Sequence, residues 1–284
     1  MDYEHKLRDK NIPLNVIINE TKIPSLLYKY QSFYSSSGCE NKYWRENIKG
    51  AFHLSLASEF EDDDDCKPSI SKDAIFKNTV ASDAKRSIEQ DEYINSVQNN
   101  YQNNIRIGCF TTSHDNNDMW EKYGDHSKGF CIEYDTSKNY LFEYSTLPVC
   151  YSETPFDIAE SILQMVQISY YAQKIHLPDN IAAFLFSNSY EKIIKQSTVP
   201  IFIKKPYWKF EDEYRMFILK HRKTDIGELE ADKILDSQFN IDLSNAITGI
   251  YLGNNFKSNN NYEKILKEML TIIPEEKIHL KSIK

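Results

Sequence analysis

The sequence predicts an α+β fold, in which short strands alternate with helices along the chain. Short stretches such as 51–56, in which apolar and polar residues alternate, are typical of half-buried strands. Residues 156–197 instead place apolar side chains three and four positions apart, which is the spacing of one helix face. Because no repeat and no long linker is visible, we expect one domain over residues 1–284, with a helical insertion at about 155–200.

Strands are expected where short apolar runs end in glycine, proline or hydroxyl residues. In chain order these runs are 26–30, 51–56, 105–110, 130–134, 147–151, 210–219, 247–253 and 277–280. Helical spacing predicts helices over much of 70–104, at 118–123, over two stretches of 156–197 that separate near Pro178, and at 261–272, with a turn or short helix at 44–47. Asn117 or Asp118 is the expected N-cap of the helix at 118–123, because either side chain can accept a hydrogen bond from a free backbone N–H.

Composition and charge narrow the functional classes. The chain has 34 basic and 42 acidic residues, a net charge of −8, which argues against a protein coated in nucleic acid. A local basic groove stays possible, since Lys204, Lys205 and residues 220–223 flank the run at 210–219; solubilising loop charge is the simpler interpretation. The acidic run 62–65 lacks the glycine and terminal glutamate of a calcium loop, so we expect it to be solvated.

No segment approaches the ~18 consecutive apolar residues that a bilayer-spanning helix needs, and the N-terminus lacks the apolar core of a secretory signal. The five cysteines form no C-x-x-C pair, so neither a zinc site nor a disulfide framework is indicated. These features predict a cytoplasmic protein without membrane contact.

The strongest chemical signal lies at 208–218. If this stretch is a strand, alternation places Glu211, Glu213 and Arg215 on one face. Two acids and a guanidinium are costly to bury unless they pair, so a buried arrangement would indicate chemistry, with Arg215 holding one of the acids. The other interpretation is an edge strand whose charged face is simply solvated.

Four segments together resemble DUF2971, a bacterial family of unknown function. They are 27–30 (Leu-Tyr-Lys-Tyr), Cys109-Phe110 followed by Met119-Trp120-x-x-Tyr123, 129–135 (Gly-Phe-Cys-Ile-x-x-Asp), and Trp208-x-x-Glu211-x-Glu213-Tyr214-Arg215. The strand at 250–253 fits the same pattern, so the resemblance spans roughly residues 27 to 255. Members of the family often accompany mobile elements and phage defence, which implies a toxin or defence role.

The order of these strand-borne elements is similar to that of the NAD-dependent ADP-ribosyltransferases. The resemblance implies a split, mixed or antiparallel sheet with surrounding helices, and NAD as the substrate. It implies that a glutamate stabilises an oxocarbenium-like transition state as nicotinamide departs. Glu213 would be this acid and Glu211 its partner, or the roles could be exchanged. Tyr28 would take the first-strand position, which usually holds arginine or histidine.

The resemblance assigns further residues to the NAD site. They are Lys29, Tyr30, Thr111, Thr112, Ser113, Trp120, Tyr123 and Arg215, beside Tyr28. Residues 111–113 resemble a Ser-Thr-Ser element that is not spelled out here, and Trp120 and Tyr123 could equally belong to the core. No metal is implied. The implied partners are a macromolecular acceptor, which is RNA, DNA or protein, and a neutralising antitoxin protein.

Two other functional classes stay open from the residues alone. A metal-dependent nuclease could use Glu211, Glu213, Asp135 and Asp118, although the lysine that usually accompanies such acids is missing from the motif. A non-catalytic module could instead sense a phage component through an aromatic cleft.

Overall fold

The centre of the molecule is a mixed eight-stranded sheet, seen in a computed structural model that describes residues 2–35, 38–41, 43–76, 84–176, 187–219 and 239–280. The strands in chain order are β1 (Leu26–Gln31), β2 (Ala51–His53), β3 (Ser55–Leu56), β4 (Ile105–Thr111), β5 (Phe130–Asp135), β6 (Thr146–Pro148), β7 (Cys150–Tyr151), β8 (Ile203–Lys204), β9 (Glu213–Leu219), β10 (Asn240–Asp242), β11 (Ile247–Leu252) and β12 (Ile278–Leu280).

Helices pack on both sides of this sheet. In chain order they are α1 (Tyr3–Arg8), α2 (Leu14–Glu20), α3 (Trp44–Lys49), α4 (Lys72–Phe76), α5 (Ala84–Gln102), α6 (Asn117–Lys122), α7 (Tyr140–Ser145), α8 (Ala159–Lys174), α9 (Ser187–Thr198) and α10 (Tyr262–Ile272). The α+β expectation is therefore confirmed, and α8 and α9 lie within the range 155–200 where helices were predicted. The predicted break near Pro178 lies outside the described residues.

The sheet runs in the order β12-β11-β5-β1-β4-β9-β6, with β3 also paired to β4. β11 and β12 are parallel, whereas β11, β5, β1, β4, β9 and β6 pair with antiparallel neighbours. Two small two-stranded sheets, β2 with β10 and β7 with β8, lie beside it.

The sheet opens between β1 and β4. The register pair Tyr28–Thr111 joins these strands. Further along the same edge of β4, its partner is β3, with the register pair Ser55–Ile107. Between these two attachments, residues 108–110 of β4 have register partners on β9 but none on the other side within the described part of the chain. A cleft forms where the strands separate.

The two faces of the sheet are packed differently. One face carries the largest apolar cluster, in which Leu27, Phe110 and Ile132 pack with side chains from α3, β2 and α10. On the other face, Met119 and Trp120 of α6 cover Tyr30 and Cys131. A separate apolar cluster packs at the opposite end of that face, and it includes Ile107, Leu147, Phe202 and Phe217. Between the two clusters on this second face lies a group of buried charges.

Several predicted elements differ from the sequence-based expectation in their bounds. The run 210–219 is not one strand: a 3₁₀ helix, Pro206–Glu211, ends at Asp212 in the left-handed region with φ of 42°, and β9 begins only at Glu213. Pro206 favours the first turn of this helix because its φ is already fixed. The runs 51–56 and 147–151 are each divided into two strands. The N-cap of α6 is Asn116, one residue earlier than expected, and its side chain accepts from the Met119 N–H.

Candidate functional site

Where β1 separates from β4, between its attachment at Thr111 and that of β3 at Ile107, there is a cleft of about 260 Å³. Seven residues of the predicted site line it, namely Tyr28, Lys29, Tyr30, Thr111, Tyr123, Glu211 and Glu213. The other lining residues are Ser55, Glu59, Phe60, Glu61, Asp62, Asp65, Cys109, Phe110, Met119, Lys204 and Trp208. The first strand, the end of β4 and the start of β9 therefore meet at one place, although they are far apart in the sequence.

Three of these residues form a row across the sheet. Thr111 pairs with Tyr28 on one side and with Glu213 on the other. Paired residues of antiparallel strands project to the same face, so the three side chains point into the same space. Neighbouring strands lie about 4.8 Å apart. The backbones of Tyr28 and Glu213, on either side of Thr111, are therefore about two strand spacings apart.

The middle residue of this row has an unsatisfied polar group. Thr111 is only 2% exposed. Its Oγ1 atom has no hydrogen-bond partner among the residues that the structure describes. A buried hydroxyl without a partner is unfavourable by about 1–3 kcal/mol. Thr111 lines the cleft, but its Oγ1 atom is buried, so the side chain must rotate before a ligand there can bond to the hydroxyl.

Glu213 is held by two cations. Arg215 approaches its carboxylate with two N–H groups, Nε at 2.8 Å from Oε1 and Nη2 at 2.9 Å from Oε2. Lys204 donates from Nζ to Glu213 Oε2 at 3.0 Å. Burial by itself raises the pKa of Glu213, but Arg215 and Lys204 outweigh it and keep this pKa well below the ordinary value. Glu213 is thus an anion throughout the physiological range.

Glu211 reaches the same cleft from the end of the 3₁₀ helix. Lys204 Nζ lies 2.5 Å from its Oε2 atom, and the Tyr123 hydroxyl donates to its Oε1 atom at 2.6 Å. Burial and, next, the negative charge of Glu213 raise the pKa of Glu211. The two carboxyl groups therefore have pKa values shifted in opposite directions, a pattern typical of paired acids with distinct roles in catalysis.

Burial decides between the two interpretations of the charged motif. Glu211 is 3% exposed, Glu213 is 4% exposed and Arg215 is fully buried. β9 also lies between β4 and β6 rather than at an edge. The interpretation of a solvated edge strand is therefore wrong.

Asp65 and Lys204 complete the buried charges. Asp65 forms a bidentate ion pair with Arg215, at 2.9 Å to Nη1 and 2.7 Å to Nη2. The expectation of a solvated acidic run is therefore wrong for Asp65, although Asp64 is exposed and pairs with Lys205. Interpreting Lys204 as solubilising loop charge is also wrong, because it lies between the two glutamates. The other half of the basic pattern, 220–223, lies outside the described residues.

The buried group carries more negative than positive charge. Asp65, Glu211 and Glu213 supply three carboxylates, whereas Lys204 and Arg215 supply two cations, an excess of one negative charge when all are ionised. Such an excess of charge, buried away from water, attracts a positively charged group.

Four residues that were assigned to the NAD site lie away from the cleft lining. Arg215 is fully buried behind Glu213, so it positions that glutamate and does not reach a ligand in the cleft. Trp120 is fully buried against Tyr30, and its indole N–H donates to the His114 carbonyl. Thr112 bonds to Asp212, and the Ser113 carbonyl accepts from Tyr30. These four residues stabilise the walls of the cleft.

Several residues of the site were not predicted from the sequence. Asp65, Lys204 and Cys109 line the cleft, and Glu133 of β5 accepts from the Tyr28 hydroxyl on its far side. Glu133 could have been predicted from the sequence, because a single acid within the apolar run 130–134 needs a hydrogen-bond partner if it is buried. No local pattern marks Lys204, because its partners are defined only by the folded chain.

Of the four acids of the nuclease alternative, Glu211 and Glu213 come together, but Asp135 and Asp118 do not join them. Asp135 lies at the end of β5, where its carboxylate accepts from Ser137, and Asp118 is an exposed residue of α6. Within the described part of the chain, no group of three or more His, Cys, Asp or Glu side chains is arranged to hold a metal ion.

The sequence comparisons agree with one part of the resemblance. Residues 119–216 match DUF2971, a family described as proteins of unknown function. The matched DUF2971 segment runs from α6 to the middle of β9, and it contains Tyr123, Lys204, Glu211 and Glu213. Comparisons with curated proteins and with solved structures gave no significant match. None of the described helices is both long and apolar enough to cross a bilayer.

Proposed function

We propose that this protein is an NAD-dependent ADP-ribosyltransferase that modifies a macromolecule, RNA, DNA or protein, as a toxin or defence effector. A neutralising antitoxin protein belongs to the same proposal. The proposal rests on two supports, which are the resemblance in motif order and the arrangement of side chains in the cleft.

The observation that carries the proposal is the row Tyr28–Thr111–Glu213, whose central hydroxyl has no partner within the described part of the chain. A buried donor and acceptor between an aromatic ring and a carboxylate suits a polar, aromatic ligand such as nicotinamide riboside. The phenol ring can pack against the pyridinium ring, and Glu213 can accept a hydrogen bond from the ribose.

The charges of the cleft fit the chemistry of this reaction. When the C1′–N bond of NAD breaks, nicotinamide leaves with the electron pair and the ribose acquires oxocarbenium character. Glu213 stays ionised, so it can stabilise this positive charge at the moment it develops. Lys204 and Arg215 hold the Glu213 carboxylate in a fixed orientation. The buried ionic group as a whole still carries an excess of one negative charge, which favours the positive transition state.

Glu211 suits the second half of the reaction. The acceptor must lose a proton as its nucleophile forms the new bond to C1′, and a carboxylate with a raised pKa is the stronger base. Glu211 would take this proton. Its hydrogen bonds to Tyr123 and Lys204 hold it at the wall of the cleft.

The size of the cleft limits which part of NAD it can enclose. Small-molecule sites usually measure about 300–1,000 Å³, and this cleft, at about 260 Å³, is slightly smaller. It suits the nicotinamide-riboside end of the dinucleotide, with the adenosine end outside.

The test is incubation of the protein with labelled NAD and a cell lysate. We expect release of nicotinamide and transfer of label to a macromolecule, whose class is then read by digesting one sample with protease and another with nuclease. Glu213→Gln should lower transfer about 10²- to 10³-fold, whereas Glu263→Gln, a helix-surface control, should retain it. Absence of NAD binding and of nicotinamide release would overturn the proposal; EDTA-sensitive cleavage of nucleic acid would instead support a nuclease.

A further inference from the structure

Behind Tyr28, on the side away from Glu213, the sheet holds a carboxylate that takes no part in the proposed reaction. Glu133 of β5 pairs with Tyr28 on β1 and with Gly249 on β11. Its Oε2 atom accepts from the Tyr28 hydroxyl at 3.1 Å and from the Tyr251 hydroxyl at 3.0 Å. Its Oε1 atom accepts from Thr248 Oγ1 at 2.8 Å.

The local backbone is built around this carboxylate. The register between β11 and β5 shifts between Ile247 and Gly249, which is a bulge at Thr248. A bulge re-aims the side chain of the extra residue, and here the Thr248 hydroxyl reaches Glu133. Gly249 lies opposite Glu133, and a Cβ atom there would lie 3.4 Å from the Glu133 Oε1 atom. At this distance a Cβ atom would be in ordinary van der Waals contact, so the bulge at Thr248, and not the glycine, is the backbone feature that serves Glu133.

These bonds fix the direction of the Tyr28 proton. A carboxylate accepts hydrogen bonds and has no proton to donate, whereas a phenol has one proton and two acceptor lone pairs. Tyr28 must therefore donate to Glu133. Because Tyr28 lines the cleft, a ligand group that reaches its oxygen from there meets only lone pairs. Burial and the neighbouring negative charge of Glu133 raise the pKa of Tyr28, in agreement with a phenol that keeps its proton.

We propose that Glu133 is a positioning residue that makes Tyr28 a hydrogen-bond acceptor, so that the cleft selects ligands with an N–H donor at this point. The inference rests on the proposed function, because the donor it assigns is the carboxamide NH₂ of NAD. The carboxamide extends from the nicotinamide ring, and Tyr28 lies at the opposite end of the row from Glu213, where the ribose is expected. The Tyr123 hydroxyl is likewise left with acceptor lone pairs only, because it donates its hydrogen bond to Glu211.

The test compares NAD with its 3-acetylpyridine analogue, in which a methyl group replaces the NH₂ and the carbonyl stays. Calorimetric titration of the wild-type protein should give a dissociation constant about three- to tenfold higher for the analogue, which is the effect of one lost hydrogen bond. Glu133→Gln supplies an amide N–H that can donate to the Tyr28 oxygen, so this ratio should fall towards one. The same ratio should be lost in Tyr28→Phe, and adding Glu133→Gln to that variant should change nothing further.

Thr248→Val is the matched control. It removes one hydrogen bond from Glu133 but leaves the Tyr28 contact, so it should keep the wild-type ratio. Circular dichroism confirms that each variant is folded. A wild-type protein that binds neither dinucleotide would refute the proposed function. Binding of NAD with a ratio that is unchanged in Glu133→Gln would refute the role of Glu133 alone.

Discussion

Tyr28 and Thr111 are the register pair that joins β1 to β4, and the Thr111 hydroxyl beside the tyrosine has no hydrogen-bond partner within the described residues. The sheet separates immediately beyond this pair. An unsatisfied group at the inner end of a cleft is expected to stabilise a bound ligand rather than the free fold.

Thr111→Val should therefore affect stability and binding in opposite directions. Valine has nearly the same shape and removes a buried hydroxyl without a partner, so the free energy of unfolding should rise by about 1 kcal/mol. NAD affinity should fall by about three- to tenfold, because the ligand loses a hydrogen bond. Urea unfolding and calorimetric titration measure the two effects. Lower stability together with unchanged affinity would show that the hydroxyl serves the fold.

Glu213→Gln should reduce both activity and stability. Glutamine has a similar shape, but Arg215 and Lys204 lose the charge that compensates them in the interior. Loss of one partner from a buried ion pair typically lowers the free energy of unfolding by about 3–5 kcal/mol. Loss of the oriented anion should lower kcat about 10²- to 10³-fold. Activity must therefore be measured at a temperature at which urea unfolding shows the variant to be folded.

The stability that Glu213 contributes should depend on pH. Its pKa is lower in the folded state than the ordinary value of about 4.3, so the contribution is present above pH ~4.3. It is lost as the pH falls through the pKa of the folded state. Acid unfolding followed by circular dichroism should show this loss in the wild-type protein and a smaller one in Glu213→Gln. Equal acid dependence in both proteins would contradict the ion-pair assignment.

Glu211 should control the acid side of the activity profile. Its pKa is raised in the folded protein, so a plot of kcat/KM against pH should rise with an inflection above the ordinary glutamate value of about 4.3. Glu211→Gln should lower the rate about 10²-fold or more and remove this inflection. A variant that keeps the wild-type profile would show that another group accepts the proton.

The loop between α6 and β5 contains three successive non-glycine residues in the left-handed region. Asp125, His126 and Ser127 have φ values of 48°, 50° and 64°. Left-handed backbone is unfavourable by about 1–2 kcal/mol for residues other than glycine. Ser127→Gly should therefore raise the free energy of unfolding by about 0.5–1 kcal/mol, after the greater flexibility of glycine in the unfolded chain is included. Ser127→Ala, the control, should give no such gain in a thermal or urea unfolding experiment.

Secondary structure was largely readable from local patterns. Alternation located β1, β4 and β5 to within about one residue, because each has an apolar face against the core. The same rule was wrong at Glu211, where Pro206 starts a 3₁₀ helix and Asp212 takes a left-handed conformation. Glu211 and Glu213 nevertheless come together, since Lys204 bonds to both. Their proximity therefore depends on a residue outside the motif.

The amino-acid sequence by itself determined the α+β class, the positions of most strands and the candidate acids, because these depend on residue spacing along short segments. Only the tertiary structure decided that Glu213, Arg215 and Asp65 are buried as one ionic group, and that Thr111 lies between Tyr28 and Glu213. The physical reason is that ion pairing and cross-strand register join residues far apart in the chain, and both depend on which strands become neighbours.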